Sequence, residues 1–375
     1  MTKTTRKTAA TGLRLLAGAL AATLAATPVA QACTGITLTA EDGTVVRART
    51  MEFNVNLESN VILVPRGYAR TGSTPDGKTG MEWKAKYASV GTNPMGLPLI
   101  VDGLNEKGLS VGLFYFDQSA GYQPYTADDA PRTLAPQELG SFMLDSFATV
   151  DEVKAAIPDI LVAPVVFKQF NMVLPVHYVV TDTTGASVVV EYVDGKLTIH
   201  DDGIGIITNN PPFDWHMTNL QNYVNLGLEN APPQKLGDVT ISGLGQGTGL
   251  LGMPGDFTSP SRFVRAAIFA HGVDPTATSE HGIFQAFHIL NNFDIPKGVA
   301  REDTKDKQGN IVSDYTQWTS ANDLANRRFY FRTYENSDIR VVDLTKQDLD
   351  AKEIQTWSMG GFEVAHELGA PTPLK

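Results

Sequence analysis

The sequence contains a single cysteine, Cys33, in a chain of 375 residues. One cysteine cannot form an internal disulfide bond, so the class of small exported domains held together by disulfides is excluded. A chain of this length buries enough surface on folding to need no covalent cross-link. The thiol must therefore be free and buried, lipidated, or catalytic, and its place in the chain is what distinguishes these alternatives.

The sequence also lacks the motifs of several enzyme classes. It has no H-E-x-x-H pair, and its seven histidines are scattered without the spacing of metal ligands. Its G-x-S-x-G match, residues 108–112, lies at the start of a strand-like run and not at a strand-to-helix turn, so it does not predict a catalytic serine. The glycine-rich segment 243–255 has no lysine in the arrangement of a phosphate-binding loop, which argues against a nucleotide. We predict neither a metal nor another cofactor.

Positive charge is scarce, with 30 Lys and Arg against 41 Asp and Glu and a formal net charge of −11. An acidic surface repels phosphate backbones, so nucleic acid is not expected as a partner. The exception is the first 32 residues, which carry four basic side chains and no acid. An apolar run rich in Ala and Leu follows from Leu15 to Val29 and ends in Ala30-Gln31-Ala32. This pattern predicts a secretory signal peptide at 1–32, cleaved after an A-x-A site.

Cleavage at this site would remove four of the 30 basic residues and none of the 41 acidic ones, which leaves a formal net charge of −15. Residues 33–375 are then expected to form a single domain that is periplasmic or secreted. A lipoprotein signal would place a large aliphatic residue three positions before the cysteine, where this chain has Ala30 followed by the bulky Gln31. We therefore expect no stable membrane anchor.

Cleavage would also make Cys33 the first residue of the mature chain. A free α-amine has a reference pKa of about 8, so it is partly neutral near neutral pH and lies a few bonds from the thiol. It can take the thiol proton and later protonate a leaving nitrogen. This chemistry predicts a cysteine that attacks an amide carbonyl, supported by oxyanion donors and by a nearby cation.

A cation is predicted at the opening hairpin. Segments 34–39 and 44–50 alternate polar with small or apolar residues around the turn Glu41-Asp42-Gly43. The second strand of a hairpin returns beside the start of the first, which brings Arg49, or its neighbours Arg47 and Glu52, next to Cys33. Without Cys33, the same residues would be interpreted as a cross-strand ion pair at the surface.

Two further candidates lie later in the chain. Asn209 ends an apolar run and is followed by Asn210 and two prolines, which cannot continue a strand ladder. Its amide could donate to an oxyanion, although asparagine before proline is also an ordinary turn. Residues 258–261, Thr-Ser-Pro-Ser, predict a helix start with Arg262 in its first turns.

Groups of strand-like segments alternate with groups of helical segments after the signal, and no repeat or flexible linker divides them. This order predicts an α+β fold in which sheets pack face to face with helices outside. The predicted helices are 136–156, 215–226, 261–270 and 283–291.

Six segments, taken in chain order, follow the pattern of one family. They are Cys33–Ile36, Arg49–Glu52, Asp102–Leu109, Thr208–His216, Leu244–Arg265 and Phe287–Asn292. In these segments the sequence resembles the choloylglycine hydrolase family, which includes penicillin V acylases and conjugated bile salt hydrolases. The resemblance implies an N-terminal-nucleophile hydrolase with a four-layer αββα sandwich, often a homotetramer, that cleaves linear amides.

The resemblance also assigns roles to single residues. Cys33 matches the nucleophile, Arg49 the arginine beside it, and Asn209 the oxyanion-hole asparagine. Arg262 matches the arginine of a Ser-Arg-Phe run. Glu52 stands where the family has an aspartate that holds the α-amine. Phe114 stands at the second oxyanion position, where bile salt hydrolases often have asparagine and where a backbone N–H can still donate.

Three aromatic residues, Phe114, Tyr115 and Phe116, are predicted to contact an apolar or aryl acyl group. We expect an exported amidase that removes the acyl group of penicillin V or of N-acyl homoserine lactones. Bile salt hydrolysis is the alternative within the enzyme class, because typical bile salt hydrolases of this family lack a signal peptide. A secreted or lipid-anchored binding protein with a blocked Cys33 is the alternative outside it.

Overall fold

The structure is a computed structural model that describes residues 32–305, 309–362 and 368–369. Apart from Ala32, the predicted signal peptide lies outside these residues. Strands come first in the described chain: β1 (Cys33–Thr39), β2 (Val45–Phe53), β3 (Asn60–Val64), β4 (Ala69–Ser73), β5 (Thr79–Lys84), β6 (Ser89–Asn93), β7 (Asp102–Asn105), β8 (Ser110–Tyr115) and β9 (Thr133–Leu134). The middle strands are β10 (Leu161–Val162), β11 (Val166–Phe167), β12 (Met172–Val173), β13 (Val176–Thr181), β14 (Ser187–Val193), β15 (Lys196–Asp201) and β16 (Ile206–Ile207).

The last strands are β17 (Gln234–Leu236), β18 (Val239–Ile241), β19 (Ala300–Lys305), β20 (Ile311–Asp323), β21 (Arg328–Thr333), β22 (Asn336–Asp343) and β23 (Gln355–Ser358). The α-helices are α1 (Pro136–Ser146), α2 (Val150–Ala156), α3 (Phe213–Leu220), α4 (Ser259–Gly272) and α5 (Ser279–Leu290). None of the described helices combines the length and the apolar character that crossing a membrane requires.

Two large antiparallel sheets form the centre of the molecule. The first has the strand order β16-β1-β2-β20-β21-β22, with β19 paired to β20. The second has the order β15-β14-β13-β8-β7-β6-β3-β23. In the first sheet, β1 and β2 form the predicted hairpin, and Gly43 occupies the left-handed region at φ +81°, which its turn requires and which glycine adopts at no steric cost.

Successive side chains of a strand point to opposite faces of its sheet, and the two faces of each sheet here contact different layers. Gly35 of β1 faces Phe114 of the second sheet, so the adjacent Ile36 faces the opposite way. On that outer face, Val46 of β2 lies against Gly282 of α5. The outer face of the second sheet packs on α1, where the Tyr178 hydroxyl donates to the carbonyl of Pro136 over 2.6 Å. The molecule is therefore a four-layer αββα sandwich, as predicted.

All four predicted helices have different bounds in the structure. The helices predicted at 261–270 and 283–291 are Ser259–Gly272 and Ser279–Leu290. The predicted helix 136–156 is two helices, because the Thr149 side chain accepts a hydrogen bond from Glu152 N and caps the start of α2. The helix predicted at 215–226 ends at Leu220. Beyond α3, the short β17–β18 hairpin exposes its apolar residues Leu236, Val239 and Ile241.

Candidate active site

The register of β1 and β2 places basic and sulfur-containing side chains around Cys33. Cys33 lies opposite Met51, and Gly35 lies opposite Arg49. Because directly opposed residues share a face, Cys33, Arg49 and Met51 all point toward the second sheet. The hairpin therefore returns its second strand beside Cys33, as the sequence pattern predicted.

The Cys33 thiol is buried in this layer, with 2% of the residue exposed. Its Sγ lies 3.9 Å from Met51 Sδ and 4.0 Å from the carbonyl oxygen of Glu52. Burial raises the pKa of the Cys33 thiol above its ordinary value, and the charges of Arg49 and Arg262 oppose this effect without cancelling it. The cations therefore act as expected, but burial dominates, and the thiol needs a base to become a nucleophile.

Asn209 connects the backbone of Cys33 to Arg262. The Cys33 nitrogen donates to Asn209 Oδ1 over 2.8 Å, and Arg262 Nη2 donates to the same oxygen over 2.6 Å. Arg262, in the first turn of α4, also donates to the Cys33 carbonyl. Asn209 Nδ2 donates to the carbonyl of Tyr115 over 2.8 Å, which uses one of its two hydrogens. The other hydrogen has no acceptor within the described part of the chain and can donate to an oxyanion.

Two histidines support the segment that carries Asn209, and sequence reasoning gave neither a role. His216 Nε2 lies 2.9 Å from the Asn209 carbonyl, and burial lowers the pKa of His216 to about 4. The neutral ring therefore donates through Nε2. His177 lies between the Thr208 carbonyl at 3.1 Å and Glu191 Oε1 at 3.0 Å. The partners lie 7, 14 and 31 positions from these histidines, and no helix or strand periodicity connects them.

Glu52 is buried beside Cys33 but contacts other groups. Its carboxylate accepts hydrogen bonds from the Thr316 hydroxyl over 2.6 Å and from the Thr50 hydroxyl over 2.9 Å. Burial raises the pKa of Glu52 to about 8. In this structure Cys33 is still joined to Ala32, so its nitrogen has one hydrogen, and that hydrogen goes to Asn209. Contact between Glu52 and a free α-amine stays a prediction for the cleaved chain.

Directed hydrogen bonds and a ring contact hold Arg49, which forms no salt bridge within the described residues. The guanidinium donates through Nε to the Thr50 carbonyl and through Nη1 to the Leu113 carbonyl. Its central carbon lies 4.0 Å from the centre of the Phe114 ring. The side chain thus ties β2 to β8 across the two sheets and keeps its charge near the Cys33 thiol.

Arg49→Lys is expected to lower kcat/KM at least about tenfold, because a lysine cannot reproduce two directed hydrogen bonds and a stacked plane. Steady-state kinetics on any hydrolysed amide will measure this. Arg66→Lys is the matched control, since Arg66 is a partly exposed arginine in surface salt bridges with Glu106 and Asp350. Equal kinetics for wild type and Arg49→Lys would leave Arg49 with no role beyond its charge.

A cavity of about 80 Å³ opens directly on Cys33. Its walls are almost entirely apolar and include Met51, Phe53, Leu57, Leu113, Tyr115, Phe167 and Phe170. The rings of Phe53 and Phe170 stack with centroids 5.6 Å apart, and Tyr115 meets Phe53 edge-on at 6.2 Å. The cavity beside the thiol is therefore suited to an apolar or aromatic group.

Of the three aromatic residues predicted to contact substrate, the structure brings only Tyr115 to this cavity. Phe114 is buried between the sheets under Arg49, and Phe116 stacks on His177 with centroids 4.2 Å apart. The reason is strand alternation, since neighbours on either side of Tyr115 point away from it. Phe167 and Phe170 line the cavity in place of Phe114 and Phe116. They belong to the segment of the short β11–β12 pair, where the sequence has little periodicity.

Among the described residues, no group of three or more His, Cys, Asp or Glu side chains is arranged to hold a metal ion. The site consists of a buried thiol, two buried guanidiniums, an asparagine amide and a carboxyl group. Such a set can perform nucleophilic attack on a carbonyl and stabilise the charge that develops there.

Comparisons with known proteins agree with this chemistry. Residues 33–357 match the sequence model of the linear amide C–N hydrolases, choloylglycine hydrolase family. A bile salt hydrolase/transferase from Clostridium perfringens is 35% identical over 329 residues, which are 87% of this chain and 96% of that protein.

Two solved structures share the fold. A variant of the conjugated bile acid hydrolase from Clostridium perfringens has a TM-score of 0.78 and 32% identity, covering 90% of this chain and 100% of that chain. Penicillin V acylase from Agrobacterium tumefaciens has a TM-score of 0.69 and 25% identity, covering 88% and 92%. The protein is therefore an enzyme of the choloylglycine hydrolase family, the linear amide C–N hydrolases.

Proposed function

We propose that the mature protein is an exported amidase whose nucleophile is the thiol of an N-terminal Cys33. The observation that carries the proposal is the surroundings of Cys33: its nitrogen is held by Asn209, its thiol opens on an apolar cavity, and two guanidiniums lie nearby. The family match also begins at Cys33, the residue that follows the predicted cleavage site.

In the proposed reaction, the neutral α-amine of Cys33 takes the proton from Sγ, and the thiolate attacks the carbonyl carbon of the amide. The free hydrogen of Asn209 Nδ2 donates to the oxyanion of the tetrahedral intermediate. The protonated amine then gives its proton to the leaving nitrogen as the C–N bond breaks, which releases the amine and leaves a thioester. The same amine then takes a proton from water, and the hydroxide attacks the thioester carbonyl. The C–S bond breaks, the carboxylic acid leaves, and the amine returns the proton to Sγ.

The base requires a free α-amine, so we expect active protein to begin at Cys33. Intact-mass measurement together with N-terminal sequencing of the exported protein will test this. A mass that includes Ala32 or a diacylglycerol group, found in fully active protein, would contradict the proposed mechanism. The same measurement separates the amidase from a lipid-anchored protein.

The preferred substrates are proposed to be penicillin V and N-acyl homoserine lactones. The apolar cavity and its aromatic cluster of Phe53, Tyr115 and Phe170 support this choice, because they fit a phenoxy group or a linear acyl chain. A steroid is broad and carries several hydroxyls. The cavity wall offers one amide side chain, Gln137, which can pair with one of them, and the others would be left unpaired at about 1–3 kcal/mol each.

We therefore expect kcat/KM for penicillin V or a long-chain N-acyl homoserine lactone to exceed that for glycocholate by at least about tenfold. A side-by-side assay of the released amine with the same enzyme preparation measures this ratio. The second candidate, bile salt hydrolysis, is favoured by the 35% identity to a bile salt hydrolase/transferase. Equal or faster turnover of glycocholate would establish that candidate and leave the role of Cys33 unchanged.

The proposed assembly is a homotetramer in the periplasm or outside the cell. Its support is the β17–β18 hairpin, which exposes Leu236, Val239 and Ile241, together with the exposed Leu244 and Leu251 that follow. Contiguous exposed apolar side chains mark a surface that another protein chain covers. A second copy of this chain is the partner that the family resemblance implies.

A further inference from the structure

The cavity at Cys33 holds only part of an acyl group. Its volume of about 80 Å³ is well below the 300–1,000 Å³ of ordinary ligand pockets. An acyl chain of more than a few carbons must therefore extend beyond it. A larger groove adjoins the cavity.

The adjoining groove has a volume of about 950 Å³, and we call it the distal groove. It is lined by residues 68–75, 77–79, 83, 97–99, 137–138 and 164–169. Three residues line both spaces: Leu99, Gln137 and Phe167. These three form the junction between the nucleophile's cavity and the distal groove.

Gln137 is the one polar side chain at the junction. It is the second residue of α1 and only 9% exposed. Its Oε1 is buried and has no hydrogen-bond partner within the described part of the chain. A buried amide oxygen without a partner is costly, since its water has been removed and nothing has replaced it. An unpaired acceptor between the small cavity and the larger groove is explained if a bound molecule supplies the donor.

We propose that the distal groove binds the far part of the substrate's acyl chain, and that Gln137 selects chains carrying a hydroxyl where they cross the junction. The inference rests on the proposed amidase activity of Cys33. A hydroxyl both donates and accepts, so it can pair with the Gln137 amide, while the apolar walls formed by Leu99 and Phe167 contact the methylenes on either side. A charged group at this position would be desolvated without a counter-ion.

The groove is tested by acyl-chain length. Thr71, on β4, lines only the groove and is exposed, so tryptophan can replace it without entering the core. Thr71→Trp is expected to lower the ratio of kcat/KM for dodecanoyl over butanoyl homoserine lactone at least about tenfold. The matched control is Thr39→Trp, at an exposed threonine at the opposite end of β1 from Cys33; it should leave the ratio unchanged.

The role of Gln137 is tested with dodecanoyl chains hydroxylated at successive carbons. Wild type should favour one hydroxylated isomer over the plain chain by about tenfold in kcat/KM, the factor of one good hydrogen bond. Gln137→Leu, of similar size, should bring this preference close to one. Gln137→Met is a second apolar variant, and circular dichroism of both checks their folding.

The outcomes separate the two proposals. In one outcome the wild type hydrolyses the acyl lactones, Thr71→Trp leaves the chain-length ratio of kcat/KM unchanged, and Gln137→Leu leaves the hydroxyl ratio unchanged. That result would overturn the distal subsite and leave the amidase intact. A wild-type enzyme that hydrolyses none of these amides would overturn the proposed function and the subsite together.

Discussion

Cys33→Ala and Cys33→Ser are expected to lose turnover by more than about 10³-fold while the fold is retained. The alanine variant has no nucleophile, and the serine hydroxyl remains protonated where a thiol ionises far more readily. General-base catalysis by the α-amine contributes about 10²–10⁴-fold, which does not compensate for the loss of the thiol as the attacking group. Turnover of the amide under saturating conditions, with circular dichroism for the fold, measures both quantities.

The fold should survive because Sγ makes no strong hydrogen bond. Its nearest polar contacts are at 3.9 and 4.0 Å, so removing it leaves no buried partner unpaired. Thr39→Ser is a matched control for a small change in the same strand. Because Cys33 is the only cysteine of the chain, one alkylation event per molecule should also abolish turnover. A Cys33→Ala variant that retains a tenth of the wild-type rate would require a different nucleophile.

Asn209→Ala is expected to lower kcat by roughly 10²–10³-fold with little change in KM. One oxyanion donor acts mainly in the transition state, so its loss appears in kcat. The structure adds a second reason, because Asn209 Oδ1 also accepts from the Cys33 nitrogen and from Arg262. Removing the side chain therefore deletes the oxyanion donor and also leaves the Cys33 nitrogen, the base, without its hydrogen-bond acceptor.

Steady-state kinetics on penicillin V and on an acyl homoserine lactone will separate the two parameters for Asn209→Ala. Asn222→Ala provides the control, since Asn222 is an exposed asparagine just beyond α3. A loss confined to KM would reassign Asn209 to substrate binding. Loss of kcat with both substrates alike would support a role at the carbonyl, which they share.

The hairpin and its consequences could be predicted from sequence because the information is local. The turn at Glu41-Asp42-Gly43 sets where β1 meets β2, and strand alternation then places Arg49 on the Cys33 face. The order of strand and helix groups similarly predicted sheets covered by helices. In both cases the prediction depends on the pattern of residues that are adjacent in sequence.

The partners of the buried charges could not be predicted in this way. Glu52 contacts Thr316, which is 264 positions later, and no periodicity connects the two. Alternation could show that Tyr115 differs from Phe114 and Phe116, but not which face of β8 meets the site. Gln137 reads as an ordinary residue in the first turn of a helix, and only its unpaired oxygen at the junction distinguishes it.

The peptide bond between Ala32 and Cys33 lies inside the folded molecule, since these residues are only 6% and 2% exposed. Peptidases cut chain segments that are accessible or transiently open. If the leader is removed at this bond, as we propose, the cut comes either before β1 is built into its sheet or while this strand is transiently open. A chain that folds with its leader still attached keeps Cys33 as an amide, without a base, until the strand opens to a peptidase.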